Sequence, residues 1–203
     1  MAITTVPTKG NLLNTKKSLS LAKVGFELLD RKRNILVREM MTLIDHANKI
    51  QDQIDEVYSS AYIALQKANI TMGFCDEISQ TVPEETSLHL TYRSVMGVEI
   101  PILSIEMDDT LHLHYGLNTT NSALDEAHQK FLDVKRLTTE LAEIENSVYR
   151  LADAIKKTQK RANALKNIMI PRFEETVKFI TSALDEKDRE EFSRLKVIKK
   201  KKQ

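Results

Sequence analysis

The sequence predicts a mainly α fold: a long antiparallel two-helix coiled coil formed by the N- and C-terminal segments, with a small β-hairpin insert at the turn. Three observations carry that expectation. From Leu12 to Ala68 apolar residues recur at alternate steps of three and four, the mean period of 3.5 that a supercoiled helix requires. A second stretch with the same period runs from Ala127 to Leu184. Between them the period falls to two on both sides of a glycine, which is the pattern of a hairpin.

The lead before the first helix is short and polar. Pro7-Thr8 suits a helix start, with Thr8 as the N-cap that satisfies early backbone donors. The first helix is expected over residues 9–68. Its seam reads Leu12, Thr15, Leu19, Ala22, Phe26, Leu29, Arg33, Leu36, Met40, Leu43, Ala47, Ile50, Ile54, Val57, Ala61, Ala64 and Ala68, and only Thr15 and Arg33 break the apolar run. From Leu12 to Ala68 such a helix is about 85 Å long at its ordinary rise. Alone it leaves its stripe in water, so it needs a partner. Gly25 sits inside the pattern; it either permits a close approach or is simply tolerated, at about 1 kcal/mol against Ala.

The insert is expected over residues 69–121. Leu88, Leu90, Tyr92 and Met96 alternate with His89, Thr91 and Arg93; after Gly97, Val98, Ile100 and Ile102 alternate with Glu99 and Pro101. Pro101 cannot donate to a ladder, so its strand should lie at an edge. A further alternating piece pairs Leu111, Leu113 and Tyr115 with His112 and His114. A segment this short does not fold securely alone, so it must lean on the helices or on a partner.

The second helix is expected over residues 122–198, opened by Ser122 and Asp125 as an acidic variant of the capping box. Its seam reads Ala127, Val134, Leu137, Leu141, Ile144, Val148, Leu151, Ile155, Thr158, Ala162, Leu165, Met169, Phe173, Val177, Ile180 and Leu184. The seams can be laid antiparallel with partner numbers summing to about 194. Pro171 interrupts the second helix, and a bend or a local switch in hydrogen bonding is expected there. Residues 199–203, four lysines and a glutamine, form a basic tail expected to fray.

Composition agrees with an elongated helical protein. Charged residues are 29% of the chain and Trp is absent, which on a heptad background favours a coiled coil over a thick core. The net charge of +1 argues against a general polyanion binder. Cys75 is the single cysteine, so no internal disulfide forms, and a reducing cytoplasm is expected. No signal pattern and no run of eighteen apolar residues is present, so no direct membrane insertion is expected.

Candidate chemistry is sparse. His112 and His114 share a strand face, which suits two metal ligands, but no Cys or clustered acid completes a set. His46, His89 and His128 are scattered. There is no phosphate-cradling glycine loop, nucleophile elbow or HExxH helix. No catalytic residue, cofactor or metal is expected.

The opening PTKGNLLNTKKSLSLAKVGFELLDRKRNIL, the hairpin VMGVEIP, and above all KRANALKNIMIPRFEETVKFITSALDEKDREEFSRLKVIK resemble the D subunit of the V/A-type rotary ATPases along nearly the whole chain. The resemblance implies a non-catalytic central-stalk rotor that transmits torque between the catalytic head and the membrane ion-translocating ring. It implies as partners the catalytic head hexamer, the small F subunit of the stalk and a cap on the membrane rotor. The implied location is cytoplasmic, peripheral to the membrane through the complex. The segment KRANALKNIMIP departs from the commoner form, which has two or three arginines before Val-Asn-Ala-Leu. Lys160 and Ala162 are expected to weaken a local ionic contact without altering the fold. A turning shaft should also have a polar exterior, with contacts to the head that are polar and replaceable.

Charge suggests where such contacts lie. In the antiparallel register, Arg31, Lys32, Arg33 and Arg38 fall at the level of Lys156, Lys157, Lys160 and Arg161, more cations than solubility asks of this chain. The expectation is a collar that meets acidic loops of the head, with Arg31, Lys32, Arg38, Lys156, Lys157, Lys160 and Arg161 as contact residues. The plain alternative is a solvated basic face. Nucleic acid is not expected, because no aromatic platform accompanies the band. The rival architecture is a prefoldin-like coiled-coil chaperone, which also hangs β-structure from a helical hairpin. It needs exposed apolar tips, whereas this chain has Glu190, Glu191, Arg194 and Lys199 there.

The register itself is testable. In a Cys75→Ser background, cysteines at positions 57 and 137 should crosslink within one chain under mild oxidation, since Val57 and Leu137 face each other in it. Efficient crosslinking of position 57 to position 165 instead would show the seams displaced by several turns.

Overall fold

The computed structural model describes residues 6–84, 86–105, 115–116 and 120–202. In chain order the elements are α1 (Lys9–Met72), α2 (Asp76–Ser79), β1 (Leu88–Val95), β2 (Val98–Ile105), α3 (Ser122–Ala164), a π-helical turn (Leu165–Met169) and α4 (Ile170–Lys202). Residues 1–34 with 155–203 make one compact unit, and residues 35–154 make a second. The fold is the mainly helical one expected, with the two-stranded antiparallel hairpin between the long helices. The alternating stretch 111–114 lies outside the described residues.

Every residue of the first seam, Leu12 to Ala68, is buried or half-buried. The second seam behaves likewise except at Met169, which is 37% exposed. That exception has a local cause. Pro171 has no N–H to offer the carbonyl four residues back, and the helix adopts the wider i→i+5 pattern just before it, with the Ile170 N–H donating to the Leu165 carbonyl. One wide turn shifts the phase of the stripe, and Met169 at its end rotates outward. The helix then resumes, so the expected local switch at the proline is a π turn.

In the first unit, the start of α1 lies against the end of α3 and against α4. Ala22, Ala162 and Ile180 are buried. Arg33 Nη1 donates to Gln159 Oε1 at 2.8 Å, Lys23 meets Glu174 at 2.7 Å, and the Lys166 ammonium stands 5.7 Å from the Phe26 ring centre. Lys23 holds the Glu174 carboxyl below its usual range, by hydrogen bond first and by charge second. Each pair falls within about one turn of the expected register. Thr8 Oγ1 accepts from the Asn11 N–H at 3.2 Å, as the N-cap reading requires. Ala162 is a buried seam residue, so its own side chain takes part in core packing. The lysine run 199–202 is helical within α4 where fraying was expected, although every residue from Asp185 to Lys201 is exposed.

In the second unit, Leu36, Ile50, Ala61, Ala64 and Ala68 of α1 are buried, as are Ala127, Val134, Ile144 and Leu151 of α3. Full burial of a leucine such as Leu36 or Leu151 contributes about 1.5–3 kcal/mol. The Tyr62 ring meets Phe131 edge-on at 5.7 Å, and the Tyr58 and Thr138 hydroxyls are 3.0 Å apart. The cap of α3 is Asn121, not the Ser122–Asp125 pair. Asn121 Oδ1 accepts from the Ala123 and Leu124 N–H groups at 3.1 and 3.2 Å. Asp125 is engaged elsewhere, accepting the Tyr115 hydroxyl at 2.8 Å.

The hairpin turns tightly at Met96-Gly97, with φ of 51° and 75°. Two positive φ values are what a type I′ turn demands. The register pairs Val95 with Val98, Tyr92 with Pro101 and Leu90 with Leu103. Leu90 and Tyr92 therefore share a face with Leu103 and Pro101, while Ile100 and Ile102 lie on the opposite face with Arg93 and Thr91. The hairpin has two apolar faces, and it uses both. Arg93 meets Glu39 of α1 at 2.6 Å, and the Arg150 guanidinium of α3 stands 5.5 Å from the Tyr92 ring centre. The outer edge of β2 lies on α3: the Leu103 N–H donates to Glu143 Oε2 at 2.7 Å, the Ser147 hydroxyl to the Pro101 carbonyl at 3.5 Å and Arg150 to the Glu99 carbonyl at 3.3 Å. Pro101 faces its missing donor toward that edge, which answers the expectation of an edge strand.

Gly25 tests how tightly the helices approach. A Cβ built there would meet Leu165 Cδ1 at 3.7 Å, an ordinary contact. The close-approach reading is thus not needed, and Gly25→Ala should stabilise the protein by about 0.5–1 kcal/mol through helix propensity. A rise in the thermal midpoint checks this; a fall would show an unseen clash. A second test uses Tyr115, whose pKa is pushed from 10.0 up to about 12 by burial first and then by its hydrogen bond and proximity to Asp125. The fold favours the neutral phenol, so its contribution is whole below pH 10 and is lost as the pH rises through about 12. Tyrosine absorbance should show one late-titrating phenol, and Tyr115→Phe should remove it.

Candidate functional site

The cations expected to form a band fall in different units. Arg31, Lys32 and Arg33 on α1 and Lys156, Lys157, Lys160 and Arg161 on α3 belong to the first, and Arg38 on α1 belongs to the second. Within the first unit, the Arg33–Gln159 hydrogen bond brings the two sets of cations to the same level, because each helix rises only about 1.5 Å per residue. Arg33 is the structural member. It is half-buried in the seam, ion-paired to Asp30 at 2.7 Å and bonded to Gln159, which in turn donates to Asn163 at 2.9 Å. A charge in an apolar seam is tolerable because its donors are occupied.

The remaining members face outward. Arg31, Lys156, Lys157, Lys160 and Arg161 are exposed and Lys32 is half-buried. In the second unit Arg38 is also exposed. Among the described residues, Arg31, Lys32, Lys156, Lys160 and Arg161 have no carboxylate within ion-pair distance. Elsewhere on the first unit an exposed cation does find an acid, as Lys23 finds Glu174. The band thus keeps several cations available to an external anion.

The exterior is less polar than expected. Leu21, Val24 and Leu28 on α1 are 76%, 51% and 61% exposed, and their spacing of three and four puts them on one stripe beside the seam. Ile168 and Phe179 add exposed apolar surface in the same unit. This stripe is readable as a second periodicity in the first helix, but the stronger neighbouring seam masks it. The expectation of a purely polar exterior does not hold.

Among the described residues no catalytic arrangement emerges. A cleft of about 310 Å³ between β2 and α3 is lined by Leu103, Ile105, Arg136, Thr139, Glu140 and Glu143. Its acids are already committed: Glu143 holds the Leu103 N–H and Glu140 meets His46 at 3.4 Å. Among the described residues, no group of three or more His, Cys, Asp or Glu stands close enough to hold a metal ion; His112 and His114 lie outside them. Among the described residues, no helix is long and apolar enough to cross a membrane.

Comparison with known proteins agrees with this picture. The family profile described as the ATP synthase D subunit matches residues 11–200. The V-type ATP synthase D subunit of Thermotoga neapolitana is 44% identical over 197 residues, covering 96% of this chain and 97% of that protein. The A-type ATP synthase D subunit of Thermococcus kodakarensis is 40% identical, covering 95% of this chain and 92% of that protein. Its counterpart in Methanosphaera stadtmanae is 36% identical, covering 96% and 92%. With near-complete coverage in both directions, a helical hairpin of the expected kind and a β-insert in the expected place, the chain belongs to the D-subunit family of the V-type and A-type ATP synthases.

Proposed function

We propose that this chain is the central rotor of its ATPase, a part without catalytic residues that carries torque between the catalytic head hexamer and the membrane rotor. In that role it works at the cytoplasmic face, with the small F subunit of the stalk and the cap on the membrane rotor as its other partners. The observation that carries the reading is the pairing of the long helices by apolar seams in both units. Torque passed along a single helix would twist it, whereas two helices locked by interdigitated seam residues resist twisting together. Family membership supports the reading, and with it the prefoldin-like alternative is not favoured.

The contact with the head is assigned to the basic band, with Arg31, Lys32, Arg38, Lys156, Lys157, Lys160 and Arg161 facing acidic loops of the head. A rotor must exchange partners as it turns, so no single contact can be strong. Exposed ion pairs meet that condition, at about 0.2–1 kcal/mol each and screened by salt. The apolar stripe of Leu21, Val24 and Leu28 adds a salt-independent component, since its attraction does not depend on charge.

The test follows from these magnitudes. Lys157→Ala alone should change affinity for the catalytic hexamer by less than about fivefold. Reversal of Arg31, Lys32, Lys156 and Lys160 to Glu should weaken binding at low salt by about tenfold or more and flatten its salt dependence. Arg33 is left unchanged because it holds the seam. Circular dichroism controls for folding. A well-folded fourfold variant that binds as tightly as the parent at low salt would reduce the band to a solvated face.

A further inference from the structure

The two edges of the hairpin are treated in opposite ways. In an antiparallel pair closed by a two-residue turn, the residues flanking the turn exchange hydrogen bonds, and every second residue points its N–H and C=O away from the partner strand. With Val95 paired to Val98, the outward residues are Glu99, Pro101, Leu103 and Ile105 on β2, and Leu88, Leu90, Tyr92 and Ser94 on β1. On β2 side chains of α3 meet three of these groups: Arg150 the Glu99 carbonyl, Ser147 the Pro101 carbonyl and Glu143 the Leu103 N–H. On β1, among the described residues, nothing reaches the outward backbone groups of Leu90, Tyr92 or Ser94.

The side chains repeat the contrast. Ile100 and Pro101 of β2 are buried, whereas β1 is exposed from Leu88 through Ser94. Leu88, Leu90 and Tyr92 are 46%, 50% and 53% exposed on one face of the strand. Proteins ordinarily blunt a bare edge with a proline, a bulge or an inward charge. On β1 none of these interrupts the run from Leu88 to Tyr92.

We propose that the outer edge of β1 is a docking edge for an extended strand contributed by another component of the ATPase complex. The row of unpaired donors and acceptors selects an extended backbone, because a helix has already satisfied its own. The apolar row asks the incoming strand for apolar residues at alternate positions. Charge selects against a second copy of this chain: among the described residues Arg150 stands over the Tyr92 ring with no carboxylate at ion-pair distance, and pairing Tyr92 with its own counterpart would bring a second arginine there and no acid. The incoming strand carries a carboxylate at that end. The inference rests on membership of the complex and not on the direction of torque.

The experiment is residue-resolved hydrogen exchange on the isolated chain and on the purified complex that contains it. In the isolated chain, the ladder amides of Thr91, Arg93 and Val95 should be protected while those of Leu90, Tyr92 and Ser94 exchange freely. In the complex, the latter three should slow by at least about tenfold. Free exchange of these three in the complex would overturn the proposal. Protection in the isolated monomer would also overturn it, by showing that the chain covers its own edge. Protection that grows with concentration, alongside a dimer in sedimentation, would assign the edge to a second copy instead. Failure of the chain to co-purify with a complex would remove the functional reading and this one together.

Tyr92→Pro supplies the second arm. It deletes one outward donor and leaves the β1–β2 ladder its inward ones. Protected ladder amides with about fivefold or greater loss of affinity for the rest of the complex would support the docking edge. Unchanged affinity would overturn it.

Discussion

The packing of two narrow apolar stripes against each other is the constraint on which the rest depends. A helix as long as α1 (Lys9–Met72) has far more surface than a single turn of chain can cover, and its stripe is only two positions wide in seven. An antiparallel partner with the same period covers the stripe over its length, and the partner here is the other end of the same chain. Leu36, Leu151 and Ile180 are fully buried in consequence. The cost of this economy is sensitivity to phase, because one displaced residue turns the following positions outward. The π turn before Pro171 illustrates the point: Met169 is lost from the seam, and Phe173 and Ile180 return to it.

Backbone satisfaction explains much of what surrounds the seam. Helix starts are capped by Thr8 and Asn121. The hairpin, too short to stand alone, is held by side chains of α3 spaced four and three apart, Glu143, Ser147 and Arg150, which meet the outward groups of β2. Arg93 ties its other face to Glu39 of α1. Among the described residues, the insert is thus fastened along one edge and left open along the other.

The surface divides labour in the same physical terms. Where stability is needed, charges are paired or bonded, as Arg33 is to Asp30 and Gln159. Away from the seam, cations such as Arg31 and Lys160 are left exposed. The apolar stripe of Leu21, Val24 and Leu28 shows that polarity alone does not describe the exterior.

Period and spacing determined the helices, their antiparallel pairing, the hairpin and the disturbance at Pro171, because each is a local pattern that the backbone must obey within a few residues. The same patterns marked the basic residues and the place of Arg33 in the seam. Tertiary structure decided what local pattern leaves degenerate. Ser122 and Asn121 are both competent caps; Asn121 takes the role, and Asp125 accepts from Tyr115 instead. Alternation gave β1 and β2 each an apolar row, but only the register placed those rows on opposite faces. The proline said that β2 was an edge; that α3 would fasten that edge depended on Glu143, Ser147 and Arg150, residues some forty to fifty positions away in sequence. Such contacts join groups whose separation along the chain carries no periodicity, and so they become visible only when the chain is folded.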